Sequence, residues 1–290
     1  HKVDFVVEVE SVGDSSKIAS GAIRDTKNPR DILLAQQAAK VIINSGYFKD
    51  GFSIQTGSGG ASLAAVKFIR ESMIEKGIKA NYALGGITAH MVKMHEEGLI
   101  KRLIDVQSFD KVAAESVKNN EFHKEVSASE YAAADEQGSA THYLDIVILS
   151  ALEVDVNFNV NVLVGSDGII RGAIGGHPDT AADSALSIIV CPLLRGRIPC
   201  VVDKVTTLIT PGATVDVVVT EYGIAVNPRR PEVAERLRAA GLKIVDLNDL
   251  KERAEKIIGQ PAELPFGEKV VGVVMYRDNT VLDVIRNIQG

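Results

Sequence analysis

The chain has 290 residues, of which 46% are hydrophobic and 24% charged, and its formal net charge is −6. That is enough chain for one large α/β domain or two small ones with a core of ordinary size. The acidic balance argues against a nucleic-acid surface, and the absence of Trp with only 5% aromatic residues leaves few stacking platforms for bases or sugars.

In chain order, residues 3–9 alternate and predict a strand, and 11–21 read as a polar loop. The run opens directly at His1, which predicts a piece of a longer polypeptide. "NPRDILLAQQAAKVII" predicts a helix, with Asn28 as N-cap, Pro29 in the first position and Asp31 in the first turn. "GFSIQTGSGGASLAAVKFIRESMIEKG" reads strand, glycine loop, helix, and "IKANYALGGITAHMVKMHEEG" repeats that plan. In the second of these the strand is expected to end at Gly85-Gly86. "LIKRLIDVQ" predicts a strand and "DKVAAESVKNN" a helix closed by Asn119-Asn120. Residues 120–142 have few branched apolar side chains and read as a surface excursion with a helical piece.

From Tyr143 to Val164 the β signal dominates, and "GSDG" then marks a turn. In "EVDVNFNVN" polar and apolar residues alternate, so one strand is expected to carry Glu153, Asp155, Asn157, Asn159 and Asn161 on a single face. That row is either an exposed face, a hydrogen-bonded seam or a cleft wall. Strands follow at "LSIIV", "IPCVVDKVTTLI" and "DVVVTEYGIAV". Two capped helices come next, 230–241 and 246–259, and "KVVGVVMYRD" reads as a last strand. Alternating strands and helices in the first half favour a parallel sheet, and consecutive strands in the second make it mixed. The expected domains are a linker and strand over 1–25 and one α/β domain over 26–290.

Three glycine turns are candidate binding elements: Gly57, Gly59 and Gly60 in "QTGSGGAS"; Gly85 and Gly86; and Gly175 and Gly176 before His177 and Asp179. The first fits neither a dinucleotide nor a phosphate-loop fingerprint. Each is either a tight connection or a place where backbone N–H groups approach an anion or oxyanion. Glu221 ends a strand and is either a site carboxylate or a structural one. Cys191 and Cys200 sit in apolar surroundings and read as buried thiols. His90 and His95 lie about 140° apart on a helix, too far round to share one metal easily, and no metal site is expected. No apolar run reaches the roughly 18 residues of a membrane span. The expected setting is cytoplasmic, with neither membrane nor nucleic acid as partner.

Together these motifs resemble the CoA-transferase superfamily in its acetyl-CoA hydrolase and acyl-CoA transferase branch. The resemblance rests on "QTGSGGASLAAVKFI", "ALEVDVNFNVN", "IGGHPDTAADSA" and "VVVTEYGIAV", in that order. "SGAIRDTKNPRDILLAQQAA" and "GGHPDTAADSALSIIVCPLLRGRIPCVVDKVTT" are similar to the α-subunit family of citrate lyase. The resemblance implies a three-layer α/β fold, an open mixed sheet with helices on both faces, built as the C-terminal half of a two-half subunit. It implies exchange of an acetyl thioester on an acyl-carrier protein for citrate, with the prosthetic group on the carrier and no cofactor bound covalently to this chain. Implied partners are the carrier protein, the lyase β subunit, citrate, a CoA thioester and the N-terminal half of the same polypeptide.

In the branch with a covalent mechanism, a glutamate precedes a glycine on the strand after the first glycine loop. Aligned on Gly77, Ile78 and Gly86, that place falls on Asn81. An amide cannot form the glutamyl anhydride. The resemblance therefore implies direct transfer, with Asn81, Gly85 and Gly86 as catalytic residues. The implied substrate-binding residues are Gly57, Gly59, Gly60, Glu153, Asn157, Gly175, Gly176, His177, Asp179 and Glu221. The alternatives are another CoA-transferase or thioester hydrolase with a displaced glutamate, Glu153 or Glu221, and a non-catalytic assembly domain.

Overall fold

The computed structural model of the chain describes residues 3–13, 26–57, 60–134, 138–260 and 263–289. Helix α1 (Pro29–Asn44) begins as its sequence dictates: the Asn28 side chain accepts a hydrogen bond from Arg30 N, and Asp31 lies in the first turn. It buries Leu34, Ala35, Ala38, Val41 and Ile42. Strands β1 (Ser53–Thr56), β2 (Tyr82–Ile87), β3 (Leu103–Ser108) and β4 (His123–Glu125) follow, joined by α2 (Gly60–Lys76), α3 (Ala89–Glu96) and α4 (Lys111–Asn119). The Asp110 carboxylate serves two helices at once, accepting Ala113 N at 2.9 Å and Ala89 N at 2.7 Å. The excursion over 120–142 contains β4, a short helix α5 (Ala128–Ala132) and the start of a 3₁₀ turn, Ala140–Tyr143.

Strand β5 (Ile146–Ser150) re-enters the sheet, and a hairpin of β6 (Glu153–Asp155) and β7 (Val160–Asn161) comes after it. Helix α6 (His177–Asp183), β8 (Leu186–Val190), the small hairpin β9 (Leu194–Arg195) and β10 (Ile198–Pro199), and β11 (Val201–Val202) continue the chain. Strands β12 (Val217–Thr220) and β13 (Gly223–Val226), helices α7 (Pro231–Ala239) and α8 (Leu247–Ile258), and strands β14 (Phe266–Met275) and β15 (Val281–Ile288) complete it.

The main sheet has eight strands in the order β13-β12-β8-β5-β1-β2-β3-β4, all parallel except the β12–β13 pair. It is mixed, as expected. Its central strands β1, β5 and β8 are almost wholly buried because both faces are covered; β5 and β8 are mostly apolar, while β1 carries Ser53, Gln55 and Thr56. Ile146, Ile148, Ile188, Val217 and Val219 pack into one core with α1, α2, α3 and α7. Val147, Leu149, Ile189 and Val218 point the other way, into a second core with Tyr131 of α5, Ala181 of α6 and Leu250 of α8. Each fully buried branched side chain contributes about 2 kcal/mol of transfer free energy. The result is three layers with helices on both faces.

Several expectations need correction. Residues 3–9 form no strand: Phe5, Val6 and Val7 are exposed and pair with none of the described strands. Alternation alone makes no strand without a hydrogen-bonding neighbour. Gly85 and Gly86 do not end β2 but lie within it, where the register against β3 slips between them as at a β-bulge. The stretch 153–162 is not one strand with a polar face. It folds back after Asp155, because the Asp155 carboxylate accepts Asn157 N and Asn159 N, and Phe158 takes φ 67°. Likewise 216–226 is a hairpin and not one strand, with Glu221 and Tyr222 in the turn. The last strand has a partner, β15, that the pattern did not announce. The expected boundary at residue 25 falls outside the described residues. Among the described residues no helix is long and apolar enough to cross a membrane.

Candidate functional site

From β1 the chain moves outward through β2, β3 and β4, then returns to the opposite side of β1 as β5 and continues through β8 and β12. The order therefore reverses at β1/β5, and in open α/β sheets ligands bind outside the carboxyl ends of the strands at such a point. A cavity of about 490 Å³ lies there. Its floor comes from the strand ends: Gln55 and Thr56 of β1 with Gly57 just after it, Gly86 of β2, Gln107 of β3, and Leu149 of β5. Its walls are Tyr131 of α5 and the segment 174–179 with Gly175, Gly176, His177 and Asp179.

The glycines have specific neighbours. A Cβ at Gly85 would lie 2.8 Å from Gln55 Cδ, and Gly85 itself has φ +99°, which L side chains rarely adopt. A Cβ at Gly86 would lie 2.1 Å from the Phe109 ring, and one at Gly176 would lie 2.6 Å from Tyr131 Oη. These positions are glycine because protein side chains occupy the space.

His177 is held on both nitrogens. Nε2 lies 3.0 Å from Ser150 O and Nδ1 lies 2.7 Å from Thr210 Oγ1. Burial pushes the imidazole down to about 4, so at neutral pH the ring is uncharged, donates from Nε2 to the carbonyl and accepts the threonine proton at Nδ1. It pins the start of α6 to the end of β5. Asp179, in the first turn of α6, faces the cavity. Burial raises its carboxyl above the ordinary value, and Arg277, with Nε at 3.7 Å, opposes that rise. Arg277 comes from the tip of the β14–β15 hairpin and also clasps Asp183 with two hydrogen bonds, at 2.5 and 2.7 Å. Tyr131 is raised to about 12, by burial first, while its hydrogen bond with Gln55 opposes the rise.

Of the residues singled out in the sequence, Gly57, Gly86, Gly175, Gly176, His177 and Asp179 meet at this cavity, and Gly85 backs it from behind Gln55. Gly60 starts α2 close to Asp31, away from the lining, and Gly59 lies outside the described residues. Asn81 is not there. It is exposed at the amino end of β2, where its Oδ1 accepts Lys101 Nζ at 3.0 Å, roughly 16 Å of strand from Gly86. The position inferred for the nucleophile thus lies at the opposite end of β2 from this cavity.

Glu153 lies elsewhere too, in a buried seam. Its carboxylate accepts Asn161 Nδ2, Ser166 Oγ, Thr206 N and Thr206 Oγ1 at 2.8–2.9 Å. Asn157 borders a separate cavity near Gly212, and Glu221 accepts Leu193 N at 2.8 Å. Cys191 and Cys200 are buried free thiols, both raised by burial, Cys200 to about 11. Sequence reasoning missed Gln55 and Tyr131. The available signals were a lone amide in the otherwise short-polar and apolar "FSIQT" and an aromatic in the alanine-rich "SEYAAA".

The model of the family "Citrate lyase, alpha subunit (CitF)" matches residues 1–288. The chain belongs to that family. It is 57% identical over 288 residues to the citrate lyase alpha chain of Escherichia coli (strain K12), covering 99% of this chain and 56% of that protein. It is 54% identical to the alpha chain of Klebsiella pneumoniae, again over 99% of this chain and 57% of the relative. The chain thus spans a little over half the length of the curated relatives it matches. A crystal structure described as the alpha subunit of citrate lyase in complex with citrate, from Streptococcus mutans, superposes with a TM-score of 0.96 at 53% identity. That superposition covers 99% of this chain and 57% of the other. A malonate decarboxylase alpha subunit from Acinetobacter baumannii, at 16% identity and a TM-score of 0.56 over 82% of this chain and 57% of that one, shares the fold alone. The three-layer mixed sheet is thus the CoA-transferase-like architecture that the sequence resemblance implied.

Proposed function

We propose that the chain is the portion of a citrate:acyl-carrier-protein transferase that supplies the cavity at the β1/β5 switch point, working with the remainder of the subunit. The reaction exchanges the acetyl group of an acetyl thioester on the carrier protein for citrate, giving citryl thioester and acetate. The lyase β subunit is the expected consumer of the product. The observation that carries this reading is the cavity's composition. Among the described residues no glutamate lines it, and Asp179, the carboxylate that does, is engaged by Arg277. Glu153 and Glu221, the candidates for a displaced nucleophile, are both committed to hydrogen bonds outside it.

Direct transfer suits such a site. A citrate carboxylate oxygen attacks the thioester carbonyl, the C–S bond breaks, and the carrier thiolate leaves with the electron pair. The thiolate then attacks the citryl carbonyl of the mixed anhydride, and acetate departs. Both steps pass through a tetrahedral oxyanion, so holding the two substrates together and offering hydrogen-bond donors supplies most of the acceleration. His177, with both nitrogens occupied, positions the wall and moves no proton.

The test is borohydride trapping in the complete subunit charged with radiolabelled acetyl-CoA. Direct transfer predicts no reduced carboxyl side chain in this chain. Recovery of a reduced glutamate, or of homoserine at position 179 from reduction of an Asp179 acyl species, sinks direct transfer in favour of a covalent route.

A further inference from the structure

One side-chain pair in the cavity has an incomplete set of hydrogen bonds. Gln55 is 8% exposed and lies in the cavity lining beside Tyr131. Its Nε2 donates to Tyr131 Oη at 2.8 Å, while its Oε1 is buried with no hydrogen-bond partner. Tyr131, 7% exposed, accepts that bond and keeps its own O–H proton to give. A buried acceptor left unpaired is costly, and native folds rarely keep one without reason. Here two separate segments are shaped to keep it. Gly85 makes room for the amide and Gly176 makes room for the phenol.

With the amide so placed, the pair presents one acceptor, Gln55 Oε1, and one donor, the Tyr131 hydroxyl, side by side. The terminal amide torsion is soft, so a small turn brings the free atom to a ligand. Ionised carboxylates and the acetyl thioester group supply acceptors only, and cannot pair with a free carbonyl oxygen. The hydroxyl is the one O–H donor of fully ionised citrate, and a carboxylate stands on the same carbon.

We infer that Gln55 and Tyr131 together recognise an α-hydroxy carboxylate, Gln55 accepting the citrate hydroxyl proton and Tyr131 donating to the adjacent carboxylate. This rests on the citrate-transfer reading above. Gln55 is then what makes the cavity select citrate over a tricarboxylate of similar size, while Tyr131 binds the carboxylate that both carry. A site built around a substrate hydroxyl rejects the analogue lacking it by about 10⁴–10⁵, because its own polar groups are left unpaired.

The experiment compares citrate with tricarballylate, which lacks only the hydroxyl, as acyl acceptors for the full-length subunit with acetyl-carrier protein. The wild type is expected to prefer citrate by at least about 10³ in kcat/KM. Gln55→Leu lowers use of citrate about 100-fold and use of tricarballylate less, so the preference falls at least tenfold, whereas Tyr131→Phe removes a donor to a carboxylate that both acceptors carry and lowers use of both alike. Wild-type protein that uses both acceptors within tenfold overturns the assignment without needing any variant. So does a Gln55→Leu enzyme with the wild-type preference. A KM increase for the acetyl thioester in place of citrate assigns the pair to the amide N–H groups of the pantetheine arm instead. Absence of transfer to citrate by the wild type refutes the transferase reading itself.

Discussion

His177 makes the stability of this protein depend on pH in a predictable way. In the unfolded chain its ring titrates near 6.5, and in the fold at about 4. Between those values the unfolded state binds the proton and the native state does not, so stability falls as pH falls through that window. The full 2.5-unit difference corresponds to about 3 kcal/mol, reached below pH 4, and the part realised between pH 7.5 and 5 is about 2 kcal/mol. Carboxylates titrate over part of the same range. Asp179 and Asp216 are raised, mainly by burial, and for them the sign is opposite. A variant comparison isolates the histidine. His177→Gln keeps a donor toward Ser150 O and removes the titration. Urea unfolding of both proteins from pH 7.5 to 5 is the assay. The wild type is expected to lose about 2 kcal/mol more than the variant over that interval. Parallel curves would show that the ring is not held neutral, and the account of α6 anchoring to β5 would fall with it.

Gly86→Ala places a methyl group 2.1 Å from the Phe109 ring, an overpacking expected to cost about 1–3 kcal/mol and visible as a lower Tm. A wild-type Tm would mean that Phe109 swings aside freely. Glu153→Ala strips the acceptor from Thr206 N and Asn161 Nδ2 in a buried seam and should destabilise by about 3 kcal/mol, while kcat per folded subunit stays near wild type. Loss of kcat at unchanged stability would return Glu153 to the list of displaced nucleophiles. Asn81→Asp alters an exposed site at the far end of β2, so transferase activity should stay within twofold and stability within about 0.5 kcal/mol. An activity change of tenfold or more would contradict the separation of Asn81 from the cavity.

Local chemistry was legible in the chain. Asn28 before Pro29 starts α1, Asp246 caps α8, and Gly259 ends it with φ 81°. Each of these depends on groups within a few residues, so the sequence carries its own explanation. The alternation of strands and helices likewise announced a largely parallel sheet, and the short motifs were specific enough to indicate the family. The two hairpins at 153–161 and 217–226 were not legible, because reversal depended on side chains such as Asp155 folding back on the backbone inside an unbroken alternating pattern.

The candidate site divides along the same line. Gly57, Gly86, Gly175 and Asp179 stood out because glycine turns and helix starts have local signatures. Gln55 and Tyr131 did not, since a glutamine in a strand and a tyrosine in a short helix mean nothing until the sheet order brings them within 2.8 Å. The family resemblance put Asn81 in the nucleophile's place, but the direction of β2 brings its Gly86 end, not the end at Asn81, to the cavity. The sequence by itself determined the helices with local caps, the largely parallel strand–helix alternation and the family. Only the tertiary structure decided that Gly85 and Gly176 exist to admit a glutamine and a tyrosine, because that requirement arises between segments far apart in the chain.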